Sequence, residues 1–291
     1  MSIKMNTLCY QCHMMRSLET AHALGDEATA TAFLKELLKL YAAMPEDASS
    51  PTLSPGTALL LQKYYGVAPD RYKEEKRLSN EFVMARLDAI RERIENAPDK
   101  LFAALQFAIL GNYIDFSALQ GKVSFDKLDE MLDTAKDIAL DMDTYHALCE
   151  DLKKGKKLLY LTDNAGEICF DRLFGEQIHK DFPHLDITFC VRGGPAHNDA
   201  LRVDAEAVGI PFPIIDNGNN VGGTELSLLS EEAKTALEEA DVVIAKGQGN
   251  IETMLGCGYN VYYAFLIKCP RFVEEFQKSL LTPMLLKERK N

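Results

Sequence analysis

Leu158-Leu159-Tyr160-Leu161-Thr162-Asp163-Asn164-Ala165-Gly166-Glu167 runs from apolar residues into an acid, a carboxamide and a glycine, and the residues beyond it take helical spacing (Ile168, Phe170, Leu173, Phe174, Ile178). The pattern reads as a buried strand, a tight polar turn and a helix. In open α/β sheets, ligands bind just outside the carboxyl ends of the strands. Asp163 and Asn164 offer hard oxygen ligands to a divalent cation at that place, and N–H groups at the start of the helix suit an anion. The stretch predicts a metal site that handles an anionic, phosphorylated substrate.

The same alternation continues to the end of the chain. Strands are expected over 157–162, 186–192, 212–215, 241–245 and 261–267, with helices around 167–180, 199–208, 230–239, 251–255 and 271–280. Short apolar strands separated by helices make an α/β fold with a mostly parallel sheet covered on both faces. From about residue 14 to 152 the chain reads as helical. Val83, Leu87, Ile90 and Ile94 recur at helical spacing, 101–110 is almost wholly apolar, and Phe125, Leu128, Met131, Leu132 and Ala135 mark a further amphipathic helix. The Pro-, Ser- and Gly-rich stretch 45–56 reads as a loop. The expected division is a helical N-terminal region, 1–152, and an α/β domain, 153–291.

With 47% hydrophobic and 26% charged residues over 291 positions, the composition is that of a globular protein. A net charge of -12 and the lack of a basic block argue against a nucleic-acid partner. No apolar segment reaches membrane-spanning length, and the first residues, Met1-Ser2-Ile3-Lys4-Met5-Asn6, lead into no signal-peptide core. Seven scattered Cys fit a reducing compartment, so a cytoplasmic location is expected.

Polar residues follow four successive strands: Asp163 and Asn164; Arg192-Gly193-Gly194 with His197, Asn198 and Asp199; Asp216-Asn217-Gly218-Asn219; and Lys246-Gly247-Gln248-Gly249-Asn250. In a parallel sheet these ends share one edge. Asp163, Asn164 and Asp199 are the candidate metal ligands, with Asp204 as the alternative third. Such a metal would neutralise a phosphate and activate a water. Lys246 is expected to hold the phosphate as a point charge, with N–H groups around Gly247 beside it. Arg192 suits either a phosphate or a surface ion pair. Glu167 is either a first-turn helix acid or a group at the metal site, as a base or as a support behind the ligands. Asn198 and Asp216 join the candidate substrate contacts, although Asn217-Gly218 is also an ordinary turn signal. His197 reads as a solvated loop residue.

Other signatures fail. Asp141-Met142-Asp143 lies in a helical segment, Gly247-Gln248-Gly249 has Glu252 where a dinucleotide fingerprint needs its third glycine, and neither a P-loop nor a nucleophile elbow occurs. Cys9-x-x-Cys12 beside His13 supplies only part of a zinc ligand set.

Taken together, Cys9-x-x-Cys12, Gly111-Asn112-Tyr113-Ile114-Asp115-Phe116, Asp163-Asn164-Ala165-Gly166-Glu167, Arg192-Gly193-Gly194-Pro195 with Asn198-Asp199, Asp216-Asn217-Gly218 and Lys246-Gly247-Gln248-Gly249-Asn250 resemble the damage-control phosphatase family, long catalogued as domain of unknown function 89, in its prokaryotic branch with N-terminal cysteines. The resemblance implies a helical region packed on a Rossmann-like α/β/α sandwich. It also implies hydrolysis of phosphate monoesters of small metabolites with Mn, Co, Ni or Mg. On that likeness the metal falls to Asp163, Asn164 and Asp199, the phosphate to Lys246, and Asn112 and Asp115 reach toward the site from the helical half, which shapes the pocket. Two other readings compete. One is an S-adenosylmethionine-dependent carboxyl methyltransferase, against which Arg192 stands where a ribose-binding acid would be wanted. The other is a non-catalytic protein binding a metal or metabolite.

Overall fold

The computed structural model describes residues 3–114 and 125–288. Its sheet has six strands in the order β3-β2-β1-β4-β5-β6, formed by Lys157–Leu161 (β1), Asp186–Val191 (β2), Ile214–Asp216 (β3), Val242–Lys246 (β4), Val261–Leu266 (β5) and Pro283–Lys287 (β6). The first five strands are parallel, and β6 pairs antiparallel with β5. The order reverses between β1 and β4, and that crevice is where a doubly wound sheet binds its ligand.

The sheet is buried on both faces because alternate side chains feed two cores. Leu158, Tyr160, Ile244, Tyr262 and Leu266 enter one apolar cluster, and Leu159, Leu161, Val243, Ala245 and Tyr263 enter the other. The first cluster continues without a break into the N-terminal helices Lys73–Met84, Leu87–Glu95, Lys100–Gly111, Phe125–Asp133 and Met142–Lys154 (α4–α8). It also takes in Glu167–Asp181 (α9), which follows β1. Helix α6, Lys100–Gly111, is buried at ten of its residues and lies against α9. The contact is close because Gly111 has no side chain: a Cβ there would sit 2.6 Å from the Phe170 ring.

The remaining N-terminal helices, Thr7–Leu24, Glu27–Ala42 and Ser54–Tyr65 (α1–α3), carry their own small core around Phe33, Leu37 and Leu53. Helix α1 starts at Thr7, earlier than residue 14, with the Asn6 side chain accepting from Leu8 and Cys9 N–H. Half of the expected 45–56 loop is helical. A 3₁₀ turn spans Ser50–Leu53 and α3 begins at Ser54, with a proline in its first turn, where a missing N–H costs nothing.

After β2 come Arg202–Ala207 (α10), Glu231–Glu239 (α11), Gly247–Met254 (α12) and Pro270–Phe276 (α13). The expected 271–280 helix stops at Phe276 because Gln277 turns left-handed at φ 51°. Strand β6 was not foreseen. Its proline, tolerated at the first residue of an edge strand, and its charged end hid it. Glu288 just beyond is buried and accepts from Gly256 N–H and the Tyr263 hydroxyl.

Gly111→Ala should lower stability by about 1–3 kcal/mol through overpacking against Phe170, seen as a Tm fall of roughly 2–10 °C. Phe170→Leu in the same chain should return part of it.

Candidate active site

Two backbone segments are zipped together at the switch point. Asn164 pairs antiparallel with Asp199. Ala200 N–H donates to Asp163 O at 2.7 Å, and Ala165 N–H donates to Asn198 O at 2.9 Å. This sets Asp163, Asn164 and Asp199 side by side, all three nearly buried yet lining one cleft. Gly247, the first residue of α12, closes on the same carboxylate. Its φ is +77°, and a Cβ there would lie 2.0 Å from Asp163 Oδ2. Only glycine accommodates both demands.

A shell of amides and cations holds this centre. Asn112, just past α6, donates through Nδ2 to Asp163 Oδ2 (3.0 Å) and to Glu167 Oε2 (2.9 Å), while its Oδ1 accepts from Leu266 N–H at 3.0 Å. It has helical φ and ψ, so it is not a left-handed cap; it ties α6 and β5 to the centre. Asn164 Nδ2 donates to Asp163 Oδ2 at 2.7 Å and to Glu167 Oε2 at 2.9 Å. Asn250 accepts from Arg192 Nη1 at 3.3 Å and donates to Lys246 O at 2.7 Å.

Several expected roles change. Lys246, expected to meet a phosphate, lies outside the cleft lining. Its ammonium is fully buried and donates to Ala108 O (2.8 Å), Glu167 Oε1 (2.8 Å) and Asp171 Oδ1 (2.6 Å), which uses all three of its protons. Glu167 is not a base facing the cleft: it is fully buried, spent on Asn112, Asn164 and Lys246. Arg192 makes a buried ion pair rather than a surface one, 2.6 Å from Asp199 Oδ2 and 3.5 Å from Asp163 Oδ1. The leading N–H groups before α9 are not offered to an anion either. Asn164 N–H goes to Glu167, Ala165 N–H to Asn198 O and Gly166 N–H to Asn80 Oδ1.

Asn198 is buried and donates to Ile114 O, outside the cleft lining. Asp216 stays in its turn, accepting from Gly218 N–H and pairing with Arg202. Asp204 caps Leu201 N–H and faces Asn80 and Lys76, so Asp199, not Asp204, stands beside Asp163 and Asn164. Asp115 lies outside the described residues.

Charge at the centre is unbalanced. The four carboxyls of Asp163, Glu167, Asp171 and Asp199 stand among three cations, Arg192, Lys246 and Lys268. Burial drives the Asp163 carboxyl well above its ordinary range, Asp199 and Glu167 push it further, and Lys268 and Arg192 oppose them. Burial likewise pushes Asp171 up to about 7 against the pull of Lys246. Desolvation works against the Lys246 ammonium, but Asp171 and Glu167 outweigh it and hold its pKa above the usual value. A divalent cation beside Asp163 and Asp199 would relieve this surplus, with the Asn164 carboxamide as the third oxygen donor, so the residues fit such an ion. Among the described residues no three His, Cys, Asp or Glu side chains are set to hold a metal. The fit therefore depends on that carboxamide, and Cys9, Cys12 and His13 do not form a zinc site.

The cleft, of ≈ 380 Å³, is walled opposite the acids by α1 through Cys9, Cys12, His13 and Arg16, and at its side by Gln248, Glu252, Cys269 and Arg271. Burial lowers the His13 pKa to about 3, so the ring is neutral; it hydrogen-bonds Ser50 Oγ at 3.1 Å. His197 is half-buried on the wall, bonded to Ser54 Oγ at 3.0 Å, rather than solvated. Sequence reading passed over Lys268 and Arg271, although they follow the fifth strand as the other polar clusters follow the first four. It also missed Asp171, one helical turn beyond Glu167.

Fold and centre together define a doubly wound α/β protein with a carboxylate–amide site at its switch point. The chain belongs to the damage-control phosphatase ARMT1-like domain family, which matches residues 5–281. It is 30% identical over 243 residues to damage-control phosphatase PH1575 of Pyrococcus horikoshii, covering 82% of each chain. A damage-control phosphatase of Archaeoglobus fulgidus is 30% identical over 259 residues, with 87% of this chain and 88% of the relative covered. The crystal structure of the Pyrococcus horikoshii protein, titled as a DUF89 family protein, superposes with a TM-score of 0.83 at 27% identity, over 98% of this chain and 99% of that one. The expected family and the mostly parallel α/β fold are borne out.

Two substitutions probe the centre. Gly247→Ala should displace Asp163 and weaken Mn²⁺ binding, measured by calorimetry, by about 10–100-fold. Lys246→Met leaves Glu167 and Asp171 buried without their cation and should cost about 3–5 kcal/mol in urea unfolding.

Proposed function

We propose that this protein is a metal-dependent hydrolase of phosphate monoesters of small metabolites. The observation that carries the reading is the zipped pair of segments presenting Asp163, Asn164 and Asp199 together into one cleft. These three residues would hold a divalent ion, Mn, Co, Ni or Mg, which supplies charge neutralisation at the phosphate and a water of lowered pKa. The protein's own part is positional. Asn112 and Glu167 fix Asp163 and Asn164, and Arg192 fixes Asp199.

With Lys246 occupied, the phosphate falls to other groups. The first turn of α12 opens on the cleft through Gln248 and Gly249, and the first N–H groups of a helix have no partners within it. Arg271 adds positive charge on the same wall. A small substrate suits a cleft walled by α1, and a net charge of -12 disfavours polyanionic partners. No helix among the described residues is long and apolar enough to cross a membrane. We place the protein in the cytoplasm on its free cysteines.

Metal-stripped protein should release phosphate from phosphomonoesters only when Mn²⁺, Co²⁺, Ni²⁺ or Mg²⁺ is restored, and Asp163→Ala should reduce kcat/KM by on the order of a hundredfold or more. Release that ignores metal, or survives in Asp163→Ala, would overturn the assignment.

A further inference from the structure

A second cavity, of ≈ 600 Å³, adjoins the cleft. The two share His13, Arg16, Ser54 and His197, whereas Asp163, Asn164 and Asp199 line only the smaller. The shared residues form the boundary between the two, and that boundary is held by a long-range bond. His197 joins Ser54 across 143 positions of chain at 3.0 Å. It does so from a left-handed backbone, φ 50°, which a residue with a side chain holds only where its surroundings impose it.

The lining of the larger cavity is mixed, with Glu19, Arg71 and Glu75 beside its apolar residues. Ala58, Leu61 and Val67 give it apolar surface, and Tyr72 adds a ring. The Arg71 guanidinium lies 4.7 Å from that ring and donates to its hydroxyl at 2.8 Å, which holds the ring in place. Sites for metabolite-sized ligands usually occupy about 300–1,000 Å³. The smaller cleft, at ≈ 380 Å³, is near the low end and by itself has room for a phosphate with a short polyol. The larger space has no use for such a substrate.

We propose that the two cavities are one substrate site, and that the substrate is a phosphate monoester of an alcohol bulkier than a hexose. The phosphate sits at Asp163 and Asp199. The body passes between His13 and His197 and packs its least polar part against Tyr72. This rests on the phosphatase reading for the phosphate end and adds the class of alcohol.

The test fills the larger cavity from positions that are themselves exposed. Ala58→Trp on α3 and, as a second filler, Ala68→Trp would be compared with Leu59→Trp, an exposed neighbour outside the lining. Glycerol 3-phosphate and adenosine 5′-monophosphate serve as small and bulky probes, with Mn²⁺ present. The wild type should prefer the bulky ester in kcat/KM by roughly tenfold or more. Either filler should remove that preference while changing glycerol 3-phosphate turnover less than about twofold, and Leu59→Trp should change neither. Equal turnover of both esters by the wild type, or equal losses on both in the fillers, would overturn the proposal. If no ester is hydrolysed, the phosphatase reading fails on its own. Calorimetry with adenosine 5′-monophosphate then decides: weaker binding in the fillers alone supports the joined site, and unchanged or undetectable binding throughout sinks it.

Discussion

The site depends on one buried ammonium. Lys246 ends β4 and sends its side chain away from the cleft to Glu167 and Asp171 on α9 and to the carbonyl of Ala108 in α6. Such a burial is costly unless every proton is bonded and an acid faces the charge, and here both conditions are met. The consequence is geometric. A strand, the helix after β1 and a helix from the N-terminal half are joined at one point, immediately behind Asp163. Glu167 passes the constraint on through Asn112 and Asn164, so the orientation of the acids lining the cleft follows from a group that never meets solvent.

The two halves of the chain contribute differently to the cleft. The strand ends bring acids and amides, all fixed by bonds to backbone or to one another. Helix α1 brings the opposing wall, and its core is separate from those flanking the sheet. On the proposed reading, chemistry falls to the sheet edge and selection of the substrate body to helices that carry a core of their own.

Sequence alone made the sheet, its strand ends and the central acids legible, because apolar runs of strand length and polar residues after them carry the signal directly. Roles were harder. Lys246 and Glu167 sit in positions where a phosphate contact or a base would also be drawn, and only the direction of each side chain separates a ligand from a support. Arg192 is the same case, since a guanidinium after a strand says nothing about which carboxylate it meets. The wall was illegible for another reason: Cys9, Cys12, His13 and Arg16 form one face of a helix, but nothing in that spacing says it faces a sheet edge some 150 residues later. β6 escaped because an edge strand opening with proline and ending in charge lacks the pattern of a buried one.

Asn112 gives the site an order of assembly. Its carbonyl oxygen receives a backbone hydrogen from Leu266, 154 residues further on. At translation rates of about 5–20 residues per second, roughly 8–30 s separate the synthesis of the two groups. Over that interval α6, apolar on nearly every side, lacks the strand β5 that later meets it, while α9 emerges part-way through. The nascent chain therefore presents an apolar helix early and completes its burial late.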